Sequence, residues 1–212
     1  MTGRLAALTV LVVVAWPGAA VSGQPANGGS GSGSNIAAEQ QAAVTGGPSA
    51  AAAASPKAYI CADPDLSTLC RILEAAGGGS VIRRGATQLS SPSSTDTIFA
   101  PTNQAFAQDA QKLADFFGVS SLGALDTSPQ SADRLLQHLV ISGQAITSRA
   151  FNDGAKYTSL LGDELELKVL KGTDGFYVES DETRAAILQA DILAGRAVVH
   201  KVDQVPLPDN FL

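Results

Sequence analysis

Between Gln24 and Pro56 the chain holds almost nothing that could build a core, and this gap decides how much of it can fold. The stretch is Gly, Ser, Ala, Gln and Pro, with Ile36 and Val44 its only larger aliphatic residues and Glu39 its only charge. Too little apolar surface is present to offset a backbone entropy cost of about 1–2 kcal/mol per residue. A flexible spacer is the reading for 24–56, and its Gly29, Gly31 and Gly33 alternation is low complexity, not a nucleotide loop. Before it, Arg4 precedes an unbroken apolar run from Leu5 to Val14, followed by Trp16-Pro17 and small residues to Gly23. That pattern reads as a secretory signal peptide over 1–23, cleaved after Ala20 or Gly23. The alternative is an uncleaved anchor or a buried helix, but the run is far short of the ~20 residues needed to span a bilayer.

One domain therefore remains, 57–208, with a short tail at 209–212. All Lys and Arg except Arg4, and all Asp and Glu except Glu39, lie beyond Pro56, so the domain keeps the net charge of −6. An acidic surface excludes nucleic acid, whose phosphates need a basic footprint. Two cysteines are too few for a zinc cage or a disulfide scaffold. In a secreted chain Cys61 and Cys70 are expected to pair, closing a short loop worth about 2–3 kcal/mol in the chain-entropy model; the alternative is two free thiols.

Asp63-Pro64-Asp65 opens a helical pattern with Leu66, Leu69, Ile72 and Leu73 on one face, ended by Gly77-Gly78-Gly79. Thr97–Ala100 reads as a short buried strand stopped by Pro101. Asn103 reads as the cap of a helix carrying Phe106, Ala110, Leu113 and Phe117 up to Gly118, with Thr102 or Asn103 able to accept the exposed backbone N–H groups at its start. Ser128 or Ser131 can cap another helix, with Leu135, Leu136, Leu139 and Val140 on its buried side. Beyond Gly143 the period shortens, and strands are predicted at 156–159, 164–170, 176–179, 185–190 and 197–202, the last two joined through a link containing Asp191. Helices first and antiparallel strands later define an α+β domain.

The run Thr97-Ile98-Phe99-Ala100-Pro101-Thr102-Asn103-Gln104-Ala105-Phe106 resembles the first signature of fasciclin (FAS1) domains. Ala190-Asp191-Ile192-Leu193-Ala194 with Val198-Val199-His200-Lys201-Val202-Asp203-Gln204-Val205-Pro206-Leu207-Pro208 resembles the second, and Leu135-Leu136-Gln137-His138-Leu139-Val140 the helix between them. The resemblance implies a FAS1 fold, a wedge-shaped β-sandwich with packed helices, in an extracellular protein. The signature residues Phe99, Pro101, Thr102, Asn103, Phe106, His138, Asp191 and His200 are expected to be structural. Both histidines sit inside apolar runs, which favours hydrogen-bonded core residues over ligands. Asp191 is expected to be paired, because a lone buried carboxylate is costly.

No catalytic motif stands out: there is no Gly-x-Ser-x-Gly elbow, His-Glu-x-x-His helix or Walker loop. Asp163, Glu164 and Glu166 read as a solvated strand face. Asp174, Asp181 and Glu182 lack the spacing of a dedicated Ca²⁺ loop, so neither an enzyme nor a resident metal is expected. The resemblance implies an adhesion or binding module acting on matrix or cell-surface components. The chain has no Arg-Gly-Asp, only Arg84-Gly85-Ala86, and Gln137 stands where some relatives have the Tyr of a Tyr-His pair tied to integrin binding. No apolar tail for a glycolipid anchor follows Asn210, and no Asn-x-Ser/Thr sequon occurs. The layout of leader, low-complexity spacer and one acidic domain also resembles the water-soluble astaxanthin-binding FAS1 proteins of green algae. In that reading the cofactor is a carotenoid held in an apolar groove, with Leu66, Leu69, Leu73, Ile187 and Ile192 as its candidate lining.

Overall fold

The computed structural model describes residues 54–78, 84–172, 175–180 and 183–207, all within one compact unit, Ala43–Leu212. The leader, most of the spacer and the tail at 209–212 lie outside the described residues.

Among the described residues six α-helices come mostly first: α1 (Pro56–Ala62), α2 (Ser67–Gly77), α3 (Arg84–Ser90), α4 (Asn103–Gln108), α5 (Ala110–Phe117) and α6 (Pro129–His138). α1 begins on the last residue of the predicted spacer, where Pro56 takes a first-turn position and Ser55 caps the Ala58 N–H. Asp63 then accepts from the Asp65 N–H and starts a single 3₁₀ turn, Pro64–Leu66, that feeds α2. The apolar spacing read from the sequence faces inward, with Leu69, Ile72, Leu73 and Ala76 buried.

The helix predicted from Asn103 to Gly118 is broken in two at Asp109, whose carboxylate takes the Val205 N–H at 2.8 Å. Its cap is Thr102 and not Asn103: the Thr102 hydroxyl accepts from the Ala105 N–H. Asn103 faces away, accepting from the Thr68 N–H and Ser67 hydroxyl and donating to the Pro64 carbonyl. It ties the start of α4 to the start of α2. α6 starts at Pro129 without a side-chain cap, because the Ser128 hydroxyl donates to that of Ser131.

Seven strands follow the order β2-β1-β7-β6-β5-β4-β3. They are β1 (Thr97–Pro101), β2 (Val140–Ile141), β3 (Ala155–Ser159), β4 (Gly162–Gly172), β5 (Gly175–Ser180), β6 (Thr183–Ala194) and β7 (Ala197–Val202). All neighbours are antiparallel except β1 and β7, which run parallel with Phe99 opposite His200 and Ala100 opposite Lys201. The later strands β3 to β7 pair antiparallel as expected, and the one parallel pair arises because β1 arrives from the helical half of the chain. The Leu160 N–H donates to the Val140 carbonyl at 2.7 Å, bringing the two edge strands together, so the sheet curls on itself.

β1 and β7 are buried along their whole length, which explains their near-continuous apolar sequence. Alternate residues serve two cores. Ile98, Ala100 and Val199 join the large core beneath the helices, with Leu69, Leu73, Phe106 and Leu135. Phe99 and Val202 turn to a second core with Ile141, Ile146, Phe151 and Val178.

Candidate functional site

The second signature is organised by β6, which runs unbroken from Thr183 to Ala194 and so takes in residues 191–194, which the sequence pattern assigns to a link. Its pairing with β7 slips between Ile187 and Gln189 and again between Gln189 and Ile192. Within that irregular stretch Asp191 adopts φ +62°, a non-glycine residue at positive φ among the described residues. The distorted backbone turns the Asp191 N–H onto His200 Nδ1 at 3.2 Å. Its carboxylate reaches the other way, accepting from the Ser148 N–H at 2.6 Å and the Ser148 hydroxyl at 2.5 Å. His200 spends its second nitrogen on the Ile146 carbonyl at 2.9 Å and lies between the rings of Phe99 and Phe151. Together these bonds fasten the 146–148 segment to β6 and β7.

Ser, His and Asp are adjacent here, yet wired unlike a hydrolase. A nucleophile must share its proton with the imidazole, and the carboxylate must orient that ring. In this protein Ser148 bonds the carboxylate directly, while both His200 nitrogens are held by backbone groups. The arrangement can brace a loop and has no free base. Burial pushes the His200 pKa down, only partly opposed by Ile146 and Asp191. Burial pushes the Asp191 carboxyl up, but the Ser148 bonds, with His200 and Arg149 nearby, outweigh it and hold the group below the usual range.

His138 behaves differently. It ends α6 fully buried, and neither ring nitrogen has a hydrogen-bond partner among the described residues. The expectation of a satisfied imidazole fails at this residue, and desolvation lowers its pKa to about 4.

A third polar cluster joins sheet to helices. Lys201 is buried and reaches Asp63 at 2.5 Å and Asp65 at 3.4 Å, and the Tyr59 hydroxyl donates to Asp63 at 2.8 Å. The desolvation of Asp63 is outweighed by its bonds from Lys201, Tyr59 and the Asp65 N–H, so its pKa is lowered. Burial and then Asp63 push the Tyr59 hydroxyl upward. The alternation of β7 explains the split: His200 faces the aromatic core, while Lys201 faces the helices. The sequence signal for this role is a lone charge, Lys201, inside the otherwise apolar strand β7.

Of the candidate ligand-lining residues, Leu66, Leu69, Leu73 and Ile192 are enclosed in the large core, and Ile187 is half-buried against the second. The exposed large apolar side chains among the described residues are Leu188, 60% exposed, and Leu193, 55% exposed, both on β6. Leu188 also borders a half-open depression of about 330 Å³ with Asp65, Thr102, Asn103 and Gln104. Cys61 and Cys70 form a disulfide that joins α1 to α2. Arg84-Gly85-Ala86 lies in α3 with Gly85 and Ala86 buried, which removes it from any adhesive loop. Asp174, Asp181, Glu182 and the side chains of Asp163, Glu164 and Glu166 lie outside the described residues.

A seven-stranded curled mixed sheet, capped by helices and locked by Asp191 and His200, defines an α+β module with no wired catalytic group among the described residues. The family model for the Fasciclin domain matches residues 64–208, and the chain belongs to that family. Protein sll1483 of Synechocystis sp. is 32% identical over 117 residues, covering 53% of this chain and 54% of that protein. A FAS1 domain pair from the insect cell adhesion molecule fasciclin I superposes with a TM-score of 0.57 at 12% identity, over 72% of this chain and 50% of the pair. The chain thus spans about half the length of each, and the second likeness speaks to the fold alone. No helix among the described residues is long and apolar enough to cross a membrane.

Proposed function

We propose that this is a secreted, non-enzymatic FAS1 module that works outside the cell or in its wall by binding, its contact face lying on the outer side of β6. The observation that carries this reading is the exposure of Leu188 and Leu193 on a strand whose other apolar residues are buried or half-buried. Isolated exposed leucines are ordinary. Leu188 lies within the irregular stretch of β6 and Leu193 just beyond it, and Leu188 opens onto the depression beside the first signature. A shallow polar depression with Leu188 as its one apolar lining residue suits a partner surface better than a reaction centre. The signal-peptide reading of 1–23, the spacer at 24–56 and the disulfide agree with an oxidising compartment.

Adhesion is tested by coating the purified protein, as single copies and multimerised, and counting attached cells. Attachment that is lost in a Leu188→Asp/Leu193→Asp double variant of unchanged melting temperature supports the reading. Failure of the multimerised parent to hold any cells overturns it.

The same depression favours a second reading, a soluble carotenoid carrier, because Leu188 gives an apolar ligand a foothold that the enclosed core leucines do not. Reconstitution with astaxanthin and a visible spectrum of the repurified protein decide it. A bound, shifted absorption band weakened by Leu188→Asp is expected, and a colourless protein refutes it.

A further inference from the structure

The sulfurs of Cys61 and Cys70 and a carboxylate oxygen of Glu74 all lie within 4.8 Å of one another. Cys70 and Glu74 are one turn apart on α2 and share a face, and Cys61 is brought to them from the end of α1. Cys61 and Glu74 are exposed and Cys70 is half-buried, so an ion and a reductant can both reach the group. We propose that reduction of this disulfide unmasks a metal site of two thiolates and one carboxylate, completed by water, that takes a borderline-soft divalent cation such as Zn²⁺ or Cd²⁺. Two sulfurs favour such ions over Ca²⁺ and Mg²⁺, which prefer all-oxygen shells. Three protein ligands with water in the fourth position is a familiar tetrahedral set.

The chemistry balances in two steps. An external dithiol supplies two electrons and two protons and leaves as its own disulfide, or a phosphine with one water leaves as its oxide; the S–S bond breaks and two thiols result. Metal binding then releases both thiol protons to solvent, which makes affinity rise with pH. The helices hold the ligands close in either state, because α1 and α2 are anchored independently of the disulfide: Ile60, Leu69 and Leu73 are buried in the large core, and the Tyr59–Asp63–Lys201 cluster ties the linking turn to β7.

The test uses the full chain, oxidised and phosphine-reduced, titrated with Cd²⁺ while the thiolate-to-cadmium ultraviolet absorption is recorded. One Cd²⁺ per reduced chain and none per oxidised chain is expected, with no competition from excess Ca²⁺. Glu74→Gln keeps the disulfide and should weaken Cd²⁺ binding about tenfold or more, the scale on which even supporting partners of a metal site act. Bound metal should also raise the melting temperature of the reduced chain. Absence of Cd²⁺ uptake by the reduced chain overturns the proposal. So does uptake that Glu74→Gln leaves unchanged, since any pair of thiols in a loosened chain would do the same.

Discussion

The backbone N–H of Asp191 donates to Nδ1 of His200, so the ring is neutral, with its proton on the nitrogen that faces the Ile146 carbonyl. The bond exists because Asp191 sits at φ +62°, a conformation that costs most residues about 1 kcal/mol or more. Its carboxylate offsets that cost through Ser148. A graded series follows. Asp191→Gly relieves the backbone but loses the two Ser148 bonds, and should cost about 1 kcal/mol; Asp191→Val loses the bonds and adds a β-branched clash, and should cost about 3 kcal/mol. Urea unfolding of the two variants orders them, and equal midpoints would refute the role given to the positive φ.

His138 makes the fold sensitive to acid. Its folded-state pKa of about 4 lies below the ordinary 6.5, so the unfolded chain binds the proton more readily. The stability linked to this ring is complete above pH 6.5 and is lost as pH falls toward 4, at most about 3 kcal/mol. Replacing the unpartnered ring by an apolar side chain removes the penalty. His138→Leu should equal or exceed the parent in urea midpoint at pH 7 and show a flatter decline between pH 7 and 4.5. A variant that keeps the parent's slope would mean that another group governs acid unfolding.

The legible parts of this fold are those in which local sequence and tertiary placement agree. α2 shows its buried stripe and glycine stop, and β1 shows its apolar run, because each is amphipathic or fully buried over several residues. α1 and α3 are seven residues each and carry little periodicity of their own; tertiary packing decides them. Asp191 reads as a turn residue, yet lies inside β6, since the slipped pairing that accommodates it depends on β7. The blocks 97–106 and 190–208 were found by resemblance, but their physical roles were not legible. Where Asn103 spends its amide, what anchors the far nitrogen of His200 and which way Lys201 points depend on partners more than thirty residues away.

Lys201 and Asp63 illustrate how unequal single and paired changes can be. Breaking a buried ion pair by removing one partner strands the other, at a cost of about 3–5 kcal/mol. Lys201→Met should destabilise on this scale, and adding Asp63→Asn should recover part of the loss by discharging the stranded carboxylate. A double variant no more stable than Lys201→Met would show that Asp63 matters chiefly for holding Tyr59 and the Asp65 N–H. The lowered pKa of Asp63 gives the matching pH dependence: its contribution is present above the ordinary value of 3.8 and is lost as pH falls through the folded value.

The disulfide spans nine positions, so the loop it closes is short and its effect on the unfolded chain moderate. Cys61→Ser/Cys70→Ser should lower stability by about 2–3 kcal/mol in the chain-entropy model and leave the fold intact, because the large core does not depend on it. Thermal unfolding of the double variant beside the parent measures this. An unchanged melting temperature would refute a stabilising staple.

Gly85 sits at a close approach between α3 and α6. A Cβ at this position would stand 2.9 Å from Leu136 Cβ and 3.0 Å from the Asp133 carbonyl oxygen, neither of which is the loose end of a side chain. The contact is held from the other side by Asp133, whose carboxylate accepts from the Ala86 N–H at 3.1 Å and from Gln137 at 2.7 Å. Gly85→Ala would raise helix propensity by about 1 kcal/mol in an isolated helix. Here it must push α3 off α6, at a cost of about 1–3 kcal/mol from overpacking. Overpacking should win, and the variant should melt below the parent. If Gly85→Ala melts higher, α3 has room to move, and the tight seam between α3 and α6 is not a constraint on the fold.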